Sequence, residues 1–390
     1  MEIAFDAKNI LLIAAIFQGL VMGSILILKT AGNRRANRVL GLLLIGVSLN
    51  TIDLFFSLSG IFGQNPDLYM LPFYYSFAFG PLLYFYVRSL TRPESNWPRN
   101  WWLHFLPVLV QFLFYGFLSL QTYEYKSMVW GTLHRPYTYP FENYFSDFSF
   151  AVYFIISIVE LFRYQKTLPD RFSSLESVTL QWLQYFVFLT GFVWLVSVLE
   201  PIIHEALDWH PFHINHVALP FMLYWIGVAG LLGRPKAIEQ SVELEPEWEE
   251  EPVDQTDPMP IADRSTDIEE LEQYVPRLRK LMEEDQLYLQ PELKLGDLAD
   301  QLRVHTKVLS ATINTCLGKN FHDFVNEYRI EEVKKRILDP AYDHLNLLGI
   351  GLDCGFNSKA TFNRIFKKFT GYTPRAFKMK ELEQSRAMAE

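Results

Sequence analysis

Near the C-terminus, the stretch SKATFNRIFKKFTGYTP gathers Arg364, Lys367 and Lys368 with Asn363, Thr361 and Ala360, while Phe362, Phe366 and Phe369 recur at i, i+4, i+7. That spacing predicts a helix with an apolar back and a cationic, amide-bearing front. Guanidinium and ammonium groups bond guanine edges or phosphate oxygens, and a carboxamide bonds adenine. Ser358 is placed to cap the helix, and Gly371 and Pro374 to end it. On charge alone, a plain solvated helix face would look the same.

A second stretch, TKVLSATINTCLG, has a similar form. Leu309, Ile313 and Cys316 face inward, Lys307, Ser310, Ala311 and Asn314 face outward, and Gly318 closes it. Each of the two short helices follows another short helix across a turn. Leu295, Leu298, Ala299 and Leu302 form the apolar face of one, and LNLLGIGLDC is the other. A helix from Phe321 to about Leu338 joins the two units. At 1.5 Å per residue it is about 27 Å long, comparable to the ~34 Å between successive major-groove faces of a duplex. Two helix–turn–helix units at that separation are what tip the reading towards DNA.

Other polar residues stand inside apolar runs, where charge is costly and points to function. Asn50, Asp53 and Ser57 share one helix face, and Ser197, Glu200 and His204 repeat the spacing. Both stripes fall in the outer half of their runs. They could line an outward-open pocket for a ligand, with Asn50, Asp53, Glu200 and His204 at its centre, or merely lock the helices together. Ser157 and Glu160 form a third pair, for which Arg163 is the expected partner. The loop HEALDWHPFHINH offers His204, His210, His213 and His216 with Glu205 and Asp208, a set open to metal binding or pH sensing, though its spacing matches no established metal signature. No metal ligand, cofactor or catalytic residue is therefore assigned. The chain has no P-loop, no GxSxG, no HExxH and no kinase-like motif set, so it is not expected to be an enzyme. Cys316 and Cys354 are its only cysteines, too few for a disulfide framework, and read as small buried residues in a reducing compartment.

The elements that must position these groups fall into two halves. Seven apolar runs, at about 9–28, 38–60, 68–90, 101–120, 148–166, 182–204 and 213–233, are each long enough for a span of ~20 residues. Glu2 and Asp6 precede the first run where a signal peptide would be basic, so it is expected to be retained. Counting Lys and Arg in the connections gives 12 on one side and 3 on the other. The positive-inside bias then puts the N-terminus outside and the C-terminus in the cytoplasm, with the chain in the inner membrane. Residues 234–300 hold 7 basic against 20 acidic residues, and 303–380 hold 14 against 7. The overall net charge of −9 therefore conceals a basic C-terminal block. The acidic, Pro-rich stretch 234–263 reads as an extended tether of ~30 Å on average. The expected fold is all-α, with a seven-span sensor domain at 1–233, the linker at 234–263 and the helix–turn–helix domain at 264–390.

Three blocks in the C-terminal region, YLQPELKLGDLADQL, VLSATINTCLGKNFHDFVNEYRIEEVKKRIL and GFNSKATFNRIFKKFTGYTPRAFK, resemble the DNA-binding domain of AraC-type transcription regulators. The resemblance covers residues from about 285 to 378 and implies seven helices in two helix–turn–helix subdomains. It also implies recognition helices at 306–317 and 359–369. The chain as a whole is similar to membrane-bound AraC-type regulators of Bacteroidetes-like bacteria, and FGPLLYFYVRSLTRP is typical of them. His305 departs from the usual Ser cap, and Gly349 and Gly351 stand where Glu and Ala are common, which predicts a weaker cap and a softer second subdomain. The implied function is a membrane-embedded one-component regulator. Its expected partners are duplex DNA, the lipid bilayer, an external or membrane-borne ligand and a second copy of the chain. The alternative is a transporter or other membrane protein whose helical domain docks a cytoplasmic protein.

Overall fold

The computed structural model describes residues 7–93, 95–175, 178–207, 225 and 264–387, and among them it is all-helical, with no strands. The seventh run apart from residue 225, the linker 234–263 and His210, His213 and His216 lie outside the described residues, as do the side chains of Glu200 and His204. The chain divides into two compact units, 1–163 with 180–247, and 164–179 with 248–390.

Among the described residues, five helical segments are long and apolar enough to cross a membrane: Asn9–Leu28, Arg34–Leu58, Trp101–Ser119, Tyr123–Arg171 and Gln181–Leu199. The helices Ala7–Leu28 and Arg34–Leu58 pack closely because neither carries a side chain at the crossing. A Cβ on Gly23 would lie 2.8 Å from the Gly41 carbonyl oxygen, and one on Gly41 2.6 Å from that of Gly23. Small residues at such a crossing let the two backbones approach and gain dispersion contacts.

Two expectations need correction here. The third run, expected over 68–90, forms a helix only over Ser76–Thr91, and its 16 residues fall short of a full span. A left-handed turn at Met70 lies upstream of it. The stretch 121–147, expected to be an external loop, is helical from Tyr123 onward. Pro136 and Pro140 lie in this stretch, and proline removes a backbone donor and crowds the preceding turn. The helix instead widens through π-type turns over Trp130–Thr138 and continues as Tyr139–Arg171.

The second unit has two apolar cores that share one helix. Phe321, Phe324 and Val325 pack into the first with Leu278, Leu298 and Leu309. Ile330, Val333 and Ile337 pack into the second with Ile350, Phe362 and Phe366. All six linker-helix residues belong to Phe321–Leu338, the helix expected from the sequence with the same bounds. The first helix–turn–helix is Leu295–Leu302 and Thr306–Ala311, extended by wider turns over Thr312–Cys316; the second is Leu347–Asp353 and Lys359–Thr370. The segment 164–179, between two apolar runs in sequence, belongs to this unit.

Candidate nucleic-acid interface

Lys359–Thr370 carries the basic front. Its cap is Ser358, whose Oγ accepts the Thr361 backbone N–H at 3.2 Å, and Gly371 ends it with φ of +79°. Phe362, Ile365 and Phe366 are buried beneath it, and Phe369 is partly buried. Ala360, Asn363, Arg364, Lys367 and Lys368 are exposed. Thr361 is buried, contrary to its expected place on the front. At the third position of the helix it turns inward beside Phe362, so it is not placed to meet a base. Lys368 is already engaged, with Nζ 2.6 Å from Asp323 Oδ1.

On the first unit, Lys307 and Asn314 are exposed, while Ser310 and Ala311 are half-buried. Leu309 and Ile313 are fully buried, and Cys316 only partly so. The cap expected to be weak is present. His305 Nδ1 accepts the Lys307 backbone N–H at 3.2 Å, so imidazole does the work usually done by a hydroxyl. The glycines also differ from expectation. A Cβ on Gly351 would meet the Phe362 ring at 2.8 Å, so this glycine allows a close helix–helix approach. A Cβ on Gly349 would find only ordinary contacts, the nearest at 3.6 Å.

The polar centre of this unit is Arg329, a residue that sequence pattern did not mark. It is 1% exposed. Its Nε donates to the Tyr288 carbonyl at 2.7 Å and its Nη2 to that of Gln290 at 2.6 Å. The guanidinium lies 5.9 Å from the Phe356 ring centroid. Gly355, at φ +90°, leaves room for it, because a Cβ there would lie 2.6 Å from the Tyr288 carbonyl oxygen and 2.9 Å from Arg329 Nε. One buried cation thus ties a loop of the first subdomain to the turn of the second. Burial pushes its pKa down to about 10, which leaves it charged at neutral pH.

Beside it, burial holds His322 below its ordinary value, against the opposing pull of Asp323. Burial alone would raise the Asp323 carboxyl, but hydrogen bonds from Lys368 and His322 outweigh it and hold the group low. Burial pushes the Cys354 thiol up to about 12, which makes it an inert core residue.

In the first unit, Asn50 and Ser197, one from each polar stripe, line a single cavity of about 250 Å³. Asp53 is not among its lining residues. Asp147 lines it and was missed, because the expected span began one residue later, at 148. Its Oδ1 accepts the Trp194 indole N–H at 3.0 Å. Glu160 pairs with Arg92, at 2.6 Å and 3.0 Å, and not with the expected Arg163. Among the described residues, no group of His, Cys, Asp and Glu could hold a metal ion.

Comparison with known proteins bears on the second unit. Residues 298–380 match the helix-turn-helix domain family of AraC type. An uncharacterized HTH-type transcriptional regulator of Staphylococcus aureus strain COL is 36% identical over 93 residues, which are 24% of this chain and 12% of that protein. One from strain MSSA476 is 34% identical over the same shares. This chain therefore spans only about an eighth of the length of the relatives it matches. No solved structure matches it. Residues 298–380 of this chain form an AraC-type helix-turn-helix domain.

Proposed function

We propose that the chain is a membrane-embedded, one-component transcription regulator, binding duplex DNA through its two helix–turn–helix units in response to an external or membrane-borne signal. The observation that carries this reading is the front of Lys359–Thr370, where Asn363, Arg364 and Lys367 are exposed over a buried Phe362–Phe366 back. A front of this kind forms bidentate bonds to guanine and adenine edges, and its cations release counterions from phosphates. The five long apolar helices support residence in the inner membrane, with the N-terminus outside and the helix–turn–helix domain in the cytoplasm.

The 250 Å³ cavity supports ligand sensing. Its wall is apolar, with Leu43, Phe79 and Phe186, and its polar groups include Asn50, Asp147 and Ser197. Such a lining suits a small, largely apolar molecule with a hydrogen-bonding or cationic end. The full chain in membrane vesicles should bind random-sequence duplex with an affinity that falls steeply as salt rises. Binding indifferent to salt would remove the regulator reading. A reporter active only in the cytoplasm should work when fused after Arg234; silence there would place the domain out of reach of DNA.

A further inference from the structure

The segment that joins two apolar runs in sequence, 164–179, is part of the helix–turn–helix unit, and Ser173 and Ser174 hold it there. Ser173 is 1% exposed and Ser174 6%. The Ser173 N–H and Oγ both donate to the Leu293 carbonyl, at 3.2 and 2.6 Å. Asn326 Nδ2 donates to the Ser173 carbonyl at 3.2 Å, and Arg329 Nη2 to its Oγ at 3.3 Å. Asn357 Nδ2 donates to Ser174 Oγ at 3.2 Å, and Phe172 pairs antiparallel with Lys294. Three parts of the domain are thereby touched at once: the start of the first scaffold helix, the linker helix, and the turn before the second recognition helix.

These contacts lie next to the start of the second recognition helix. Asn357 immediately precedes Ser358, the cap of the recognition helix. Asn326 sits one turn beyond His322, to whose carbonyl it also donates at 2.7 Å. His322 feels the charges of Arg364 and Lys368, and its neighbour Asp323 bonds Lys368. The part of the linker helix that holds Ser173 thus lies one turn from Asp323, which bonds Lys368 of the basic front. Arg329 also makes two shorter bonds that do not involve Ser173, to the Tyr288 and Gln290 carbonyls.

We propose that residues 172–174 are an autoinhibitory strap, which covers the approach to the paired helix–turn–helix units and must leave before duplex DNA can seat across both. The inference rests on the DNA-binding reading above. The residues on either side of 164–179 belong to the first unit, so the strap is continuous in sequence with that unit at both ends. A ligand acts through it by binding the released state more tightly than the strapped one.

The test uses the full chain in membrane vesicles and a pool of random-sequence duplexes. Ser173→Pro removes both donors to Leu293 and should raise duplex affinity about tenfold, or ~1.4 kcal/mol. Ser174→Cys with Asn357→Cys, in a Cys316→Ala and Cys354→Ala background, should be joined by a short bis-methanethiosulfonate. Joining should lower duplex affinity by a similar factor, and dithiothreitol should restore it. Failure of the two thiols to join, or equal binding by joined, reduced and Ser173→Pro proteins, overturns the strap while the DNA-binding reading stands. Absence of duplex binding in every form, including the reduced one, removes the DNA-binding reading and the strap together.

Discussion

The two helix–turn–helix units share a scaffold and differ in what they present. The second recognition helix is regular for 12 residues and carries Asn363, Arg364, Lys367 and Lys368 on its exposed side. The first keeps α-helical turns only over Thr306–Ala311, widens through Thr312–Cys316, and exposes Lys307 as its one cation. Widened turns shift the side chains that follow, so Asn314 no longer follows the simple spacing of Lys307 and Ala311. The contrast teaches that repetition of a motif does not repeat its chemistry. On the function proposed above, the second unit would supply most of the charge and base contact, and the first would add orientation.

The basic front tests that asymmetry most directly. Replacing both Arg364 and Lys367 by Ala should weaken duplex binding by about 3 kcal/mol, more than a hundredfold, since each such contact is worth ~1–3 kcal/mol. Replacing Lys307 and Asn314 together should cost less, about 1–2 kcal/mol, and the loss should depend less on sequence. Titration of the full-length variants with labelled duplex measures both. A larger loss from the Lys307/Asn314 pair would reverse the assignment of the two units.

Much of this domain was readable in advance because its signals are local and periodic. The linker helix, the Ser358 cap and the inward set Leu295, Leu298, Ala299 and Leu302 all follow from spacing and short-range capping. What escaped depends on partners far away in the chain. Arg329 with Ser173, and Glu160 with Arg92, are joined across 156 and 68 positions. Asp147 escaped through a one-residue error in where a span begins. Thr361 escaped because a helix front has edges, and an edge residue can turn inward as readily as outward. In the first unit, the gap between the runs 101–120 and 148–166 suggested a loop, yet wider turns carry the helix past Pro136 and Pro140.

The two glycines of the second scaffold helix offer a further contrast, this time within one unit. Gly351→Ala forces a Cβ into the Phe362 ring and should destabilise the second subdomain by roughly 1–3 kcal/mol through overpacking. Gly349→Ala meets no crowding and should stabilise it by roughly 0.4–1 kcal/mol, because alanine is the better helix former and restricts the unfolded chain. Hydrogen exchange of the amides in Leu347–Asp353 in the full chain reads both signs. Two changes of the same sign would show that the close approach to Phe362 does not govern this helix.

The junction of the units should respond to mild acid. His322 is buried at 4% exposure and held below its ordinary value of 6.5, so the unfolded chain takes up that proton before the folded one does. Stability from this site is therefore complete above about pH 6.5 and declines as pH falls through that value. Asp323, held low by Lys368 and His322, contributes in the same direction only below about pH 4. Exchange protection of the linker helix, compared at pH 7 and pH 5, should fall in the parent and change little in His322→Gln. Equal losses in both proteins would place the acid sensitivity elsewhere.

The smallest effect separates the two caps. Ser358 and His305 each accept one backbone N–H at the start of a recognition helix, both at 3.2 Å. The hydroxyl reaches the third residue along, Thr361, whereas the imidazole nitrogen reaches only the second, Lys307. Removing either acceptor leaves a first-turn donor to be satisfied by water alone. Ser358→Ala should cost about 1 kcal/mol and His305→Ala somewhat less, near 0.5 kcal/mol. His305→Ser restores the usual hydroxyl and should be neutral or slightly stabilising, because Ser is among the favoured cap residues. Local exchange at Lys307–Leu309 and at Thr361–Asn363 measures each cap in place. If His305→Ala proves the more damaging, then the first recognition helix, with its short run of α-helical turns, depends on its cap more than the regular second helix does, and the imidazole is the better fit there.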